Sequence, residues 1–143
     1  MIERKTTRQI HVGGVAVGGG APIAVQSMTN TLTSDVEATV HQIHQLEQAG
    51  CEIIRVAVPD MAAARAITAI REQIAIPLIA DIHFDSRLAV AAVEHGAQCI
   101  RINPGNLGGP DKLARVVAAA RRHNAPIRVG VNSGSIEKGL LHE

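Results

Sequence analysis

Aromatic side chains are almost missing from this chain: Phe84 stands alone, with no Trp and no Tyr. A core must then be built from Ile, Val, Leu and Ala, the usual filling of α/β folds. The same lack argues against RNA or single-stranded DNA binding, which relies on stacking. Charge is nearly balanced, at +1, so there is no general pull toward nucleic acid or an anionic membrane. No run reaches the roughly 18 apolar residues of a membrane helix. The start, MIERKTTRQ, has no apolar stretch of the kind that marks a secretory signal. A cytoplasmic location follows as an expectation. Cysteine is scarce too: Cys51 and Cys99 read as reduced, buried, small apolar residues without a disulfide or metal role. Neither G-x-G-x-x-G nor a Walker G-K-[ST] occurs, which argues against a dinucleotide sheet and a P-loop.

What is present is a repeated pattern. Five apolar stretches, AVQSMTN (24–30), EIIRVAV (52–58), LIADIHF (78–84), CIRINPG (99–105) and IRVGVNS (127–133), carry or end in polar residues. Arg55, Asp81 with His83, Arg101 with Asn103, and Arg128 with Asn132 interrupt them. Residues two or four apart on a strand share a face. Helical patterns separate the stretches. Ser34 and Glu37 stand at capping-box spacing before a helix of about 35–49. Asp60 precedes Met61, Ala64, Ile67, Ile70 and Ile74, and Asp85 precedes Leu88, Ala92 and Val93. Pro110 suits the start of a helix carrying Leu113, Val116, Val117 and Ala120. Gly50 and Gly96 each lie five residues before an Arg, an internal echo of one βα unit.

Successive βα units with near-continuous apolar strands mean a parallel sheet. Polar residues recurring on nearly every strand favour a (β/α)8 TIM-type barrel over an open sheet, where they would gather at one switch point. About five units are expected, with strands near 23–28, 52–58, 77–83, 98–103 and 127–132, and a complete barrel needs about 250 residues. Residues 8–20 read as a β-hairpin turning at Gly13-Gly14, able to plug the barrel floor. The domain reading is therefore a hairpin over 1–20 and an N-terminal portion of a barrel over 21–143.

Three arginines on such strands repel one another unless carboxylates or an anion neutralise them. Guanidinium forks match phosphate oxygens well. Either Arg55, Arg101 and Arg128 hold an anion, or each pairs with a carboxylate such as Asp81. The loop NPGNLGG beside Arg101 adds backbone N–H groups and a helix start, which suit an anion. Asp81 and His83 can orient or protonate a substrate, or form a structural ion pair. Asn103 and Asn132 are neutral groups able to orient a ligand, and Ser27, Thr29 and Asn30 can do so or satisfy their own loop. His41 and His44, with Glu37, have helical spacing that fits a solvated face better than a metal site. Arg121 and Arg122 suit a helix C-terminus.

In combination, QSMTNT, ADIHFD and RINPGN, with IIRVAVP and IRVGVNSGS, resemble the N-terminal barrel of the bacterial 4-hydroxy-3-methylbut-2-en-1-yl diphosphate synthase family. The resemblance runs through nearly the whole chain. It implies an oxidoreductase of non-mevalonate isoprenoid biosynthesis that reductively opens 2-C-methyl-D-erythritol 2,4-cyclodiphosphate. It implies a homodimer, a [4Fe–4S] cluster in a separate C-terminal domain, and flavodoxin or ferredoxin as electron donor. On matching positions, Arg55, Arg101 and Arg128 would bind diphosphate oxygens. Asp81, His83, Asn103 and Asn132 would surround the carbon skeleton, with Met28 and Thr29 on the same rim. No residue here is assigned as catalytic or as a metal ligand, and the cluster domain is expected to lie outside this chain, which alone is expected to be inactive. Two other readings stay open: a barrel synthase for a pterin or phosphorylated substrate, and a non-catalytic half-barrel that self-associates through its edge strands.

Overall fold

The computed structural model describes residues 5–132. An antiparallel hairpin, β1 (Ile10–Val12) and β2 (Val15–Val17), precedes a parallel five-stranded sheet. The sheet strands are β3 (Gln26–Met28), β4 (Ile53–Ala57), β5 (Leu78–Asp81), β6 (Cys99–Ile102) and β7 (Ile127–Val129), paired in chain order. Between them run α1 (Val36–Gln48), α2 (Met61–Arg71), α3 (Ser86–Glu94) and α4 (Pro110–Arg122). This βα order is the expected one, and the described sheet does not close into a barrel.

Alternation along the strands sorts the two faces. Ile54, Val56, Leu78, Ala80, Ile100 and Ile102 face the helices and join Ile43, Ile67, Ile70, Val93 and Val116 in the main core. Their strand neighbours Ile53, Ile79 and Cys99 pack on the other face, where Val12 of the hairpin completes a second small cluster. The hairpin turn lies against residues at the strands' N-terminal ends: a Cβ on Gly13 would meet Pro77 at 2.9 Å. The hairpin thus covers the floor of the half-barrel, as the sequence suggested.

Helix ends follow the local chemistry. Asp60 Oδ1 accepts from the Ala63 N–H at 2.8 Å, and Asp85 Oδ1 from the Arg87 N–H at 2.8 Å. The Ser34–Glu37 box does not form. Asp35 is the cap, accepting from the Ala38 N–H at 3.1 Å, because it stands three residues before that first-turn amide and Ser34 is one residue too early. Gly50 and Gly96 end α1 and α3 at φ 99° and 102°. The next N–H then closes back on the helix, Cys51 to Leu46 O at 3.0 Å and Ala97 to Ala92 O at 2.9 Å. Asn124 does the same for α4 at φ 53°. The echo seen in sequence is this shared helix-to-strand joint.

The strands are shorter than expected. Residues 23–25 precede β3, although Glu52 clasps Val25 through its N–H at 2.8 Å. Ile74 lies beyond the end of α2 yet stays buried. His83, Asn103 and Asn132 lie past the ends of β5, β6 and β7. The SGS turn at 133–135 lies outside the described residues. The two edges of the sheet expose Ile23, Val25, Val129 and Val131.

Candidate active site: a carboxylate shared by two guanidinia

Register sets the site. Asp81 is paired with Arg101, and Arg101 with Arg128, in one layer across β5, β6 and β7. Arg55 pairs with Ile79, one inward-facing position lower. The arginines are therefore not at equivalent heights, because parallel strands in a curling sheet are staggered.

The side chains reconcile that offset for two of the three. Asp81 is buried, with a side chain only 5% exposed. Its Oδ2 lies 3.5 Å from Arg55 Nε, and its Oδ1 3.3 Å from Arg101 Nη1. His83 Nε2 is 3.5 Å from Oδ2, brought there by the loop after β5 rather than by strand alternation. Its ring meets the exposed Phe84 edge-on at 6.2 Å. Met28 Sδ accepts from Arg55 Nε at 3.2 Å. Of the two sequence expectations, carboxylate pairing is present for Arg55 and Arg101. One carboxylate against two guanidinia leaves a positive charge in excess, and the Arg55 and Arg101 side chains are 28% and 27% exposed.

Arg128 stands apart. It is exposed, and its Nη1 donates to Gln26 Oε1. Gln26 and Arg128 sit on the two edge strands, so this contact spans the concave face and shows how far the sheet has curled. Asn103 is buried and accepts from the Gly105 N–H at 3.2 Å, shaping the 3-10 turn Pro104–Asn106. Asn132 is exposed after β7. Thr29 N–H donates to Arg55 O at 3.0 Å, and its buried hydroxyl has no protein partner among the described residues. Asn30 serves its loop, exchanging bonds with Gln42 at 2.9 and 2.6 Å. Ser27 sits mid-strand in β3, half-buried.

Below the polar layer the concave face turns apolar. A cleft of about 830 Å³ runs between the hairpin and the two edge strands, lined by Val12, Ile53, Ile79 and Cys99, with Gln26 and Arg128 at its polar end. Burial pushes the Cys99 thiol up to about 11, although the Arg128 charge and its backbone N–H pull the other way. Cys51 and Cys99 are both free and buried. Among the described residues no three His, Cys, Asp or Glu side chains could share a metal ion. His44 bonds to Gln73 O at 2.9 Å, and His41 to Gln45 at 3.1 Å, along the outer helices. At the rim, the Arg87 guanidinium beside Asp85 holds that carboxyl below its usual range. α4 starts at Pro110 with no side-chain cap, and Arg121 and Arg122 occupy its last turn.

Nothing in the sequence marks Gln26 as the partner of Arg128, since 102 positions separate them. The nearest sign was its place in QSMTNT.

Known proteins share both the sequence and the fold. The chain is 66% identical over 141 residues to the 4-hydroxy-3-methylbut-2-en-1-yl diphosphate synthase (flavodoxin) of Desulfotalea psychrophila, covering 99% of this chain and 39% of that protein. It is 60% identical over 139 residues to the synthase of the same name from Chromohalobacter salexigens, covering 97% of this chain and 38% of that one. The chain thus spans about two-fifths of the length of these curated relatives. Among solved structures, a Yersinia pestis dihydropteroate synthase matches with a TM-score of 0.63 over 85% of this chain and 45% of that one, at 13% identity. A mandelate oxidase matches at 0.57 and 16% identity, over 94% of this chain and 65% of that one. At such identities these two show a common fold alone. The model of the GcpE TIM-barrel domain matches residues 7–143, and the chain belongs to that family.

Proposed function

We propose that this chain is the substrate-gripping part of an enzyme that reductively opens 2-C-methyl-D-erythritol 2,4-cyclodiphosphate to 4-hydroxy-3-methylbut-2-enyl diphosphate. The observation that carries this reading is the pair of guanidinia on one buried carboxylate at the C-terminal strand ends. TIM-type folds hold their ligands there, and the excess positive charge suits a diphosphate. High identity to proteins named for the diphosphate product supports it.

In this reading Asp81 fixes Arg55 and Arg101 so that their exposed edges present donors to phosphate oxygens. Arg128, held by Gln26 at the polar end of the cleft, meets the far end of the same group. His83, fixed by Asp81, faces the carbon skeleton and its hydroxyls. Asn103 and Asn132 orient the ligand from the next two loops. The Thr29 hydroxyl, with Met28 beside Arg55, completes the rim on β3.

An iron–sulfur cluster does not fit the residues described here, because both cysteines are buried singly and none stands in a ligand group. The [4Fe–4S] cluster and the two electrons belong, in this proposal, to the part of the relatives that this chain does not span. Flavodoxin, named in the relatives, is the donor. A homodimer in which the partner covers the rim would bury Leu32 and Phe84, 76% and 70% exposed at the β3–α1 and β5–α3 loops. Unpaired, buried thiols suit a reducing cytoplasm. No helix among the described residues is long and apolar enough to cross a membrane.

Turnover by the whole, cluster-loaded protein with reduced flavodoxin tests the assignment. Product should form, and His83→Ala should slow it by about tenfold or more, as expected for loss of a hydrogen bond that orients the substrate. No turnover of the cyclic diphosphate, or full activity in His83→Ala, would overturn the corresponding claim.

A further inference from the structure

Gly130 follows β7, and its N–H donates to Ile102 O at 2.9 Å, extending the pairing with β6. A Cβ built on it would lie 2.6 Å from Cζ of Arg101 and closer still to Nε and Nη2. The Nε–Nη2 edge of the guanidinium therefore occupies the space where any other residue at position 130 would carry its side chain. From that seat Nη1 reaches Asp81 at 3.3 Å. The other tight glycines on the hairpin side, Gly13, Gly18 and Gly19, meet Gln98, Pro77, Thr7, Arg8 or Gln9, none of them a residue of the site.

We propose that Gly130 is a positioning residue for Arg101: its missing side chain is the slot that aims the guanidinium at both Asp81 and the ligand. The role rests on the diphosphate reading for its ligand half and on geometry alone for its Asp81 half. The physical case is a separation of effects. Gly130 does not need the left-handed backbone that only glycine adopts easily, because its φ lies outside that range. The group that a methyl would displace is the far end of a flexible side chain. An alanine should therefore leave the strand intact and expel the guanidinium. A backbone clash would instead unfold the edge.

Four proteins test this: wild type, Gly130→Ala, Arg101→Ala and the double variant, titrated with inorganic pyrophosphate. Gly130→Ala should weaken binding about tenfold or more, in line with loss of a charged hydrogen bond. The same change should add nothing in the Arg101→Ala background, since coupled residues are not additive. Its melting temperature should stay within about 3 °C of wild type. Any larger fall should be restored by adding Arg101→Ala, which removes the clash. Without ligand, the arginine Nε–Hε resonance that disappears in Arg101→Ala should move in Gly130→Ala. An unmoved resonance with unchanged affinity would overturn the proposal, as would a stability loss that the double variant does not restore. If wild type fails to bind pyrophosphate while the resonance moves, the positioning role stands and the diphosphate reading falls.

Discussion

Two layers of the same three strands behave as opposites. In the lower layer, β4, β5 and β6 contribute Ile53, Ile79 and Cys99, sealed by Val12 of the hairpin. Two residues further along each strand come Arg55, Asp81 and Arg101, Asp81 and Arg101 in one layer and Arg55 in register with Ile79 below them. A rise of two residues, about 7 Å along a strand, takes the concave face from the apolar lining of the cleft to a charged cluster. The lower layer makes the upper one possible: it anchors the strands where burial is cheap in polar terms, so the strand ends can carry groups that packing alone would reject. Stability and binding are thus separated along the strand axis.

The largest expected effect strikes the lower layer. Ile79→Ala removes a side chain that is 2% exposed, and such truncations cost about 2–5 kcal/mol. Denaturant unfolding should show that loss, while the folded fraction keeps its pyrophosphate affinity. Weakened binding without lost stability would break the division between layers.

A smaller effect sharpens it through Cys99. Its folded thiol ionises at about 11, against an ordinary value of 9.0. Between those values the unfolded thiol loses its proton and the folded one keeps it. The folded state then binds more protons, so stability falls as pH rises through this window. Below about pH 9 the contribution is fully present. The total is about 2–3 kcal/mol, from roughly 1.4 kcal/mol per pKa unit. Unfolding curves between pH 8 and 11 should therefore slope more steeply in wild type than in Cys99→Ala. Parallel curves would mean that water reaches the floor.

Much of this arrangement was legible in the residue order. Caps at Asp60 and Asp85, Pro110 at a helix start and the joints at Gly50 and Gly96 are local chemistry, decided within one turn of chain. Alternation placed Arg55, Asp81 and Arg101 on the inward face. What escaped depended on distance. The stagger that lowers Arg55 by one layer arises from how strands pair, not from any strand alone. The capture of Arg128 by Gln26 depends on the curl of the entire sheet. His83 reaches Asp81 through a loop bend that strand periodicity does not describe. The slot at Gly130 exists only because the neighbouring strand β6 carries an arginine of the right reach.

The central claim is that the upper layer is an anion site and not merely an ion-pair network. Arg101 decides it, because it touches both Asp81 and the open side of the cluster. Calorimetric titration of wild type and Arg101→Ala with 2-C-methyl-D-erythritol 2,4-cyclodiphosphate is the direct measurement. Wild type should bind, and the variant should lose about tenfold or more in affinity, the scale of a charged hydrogen bond. Equal affinity in the two proteins would contradict the claim, and would return Arg101 to a purely structural role.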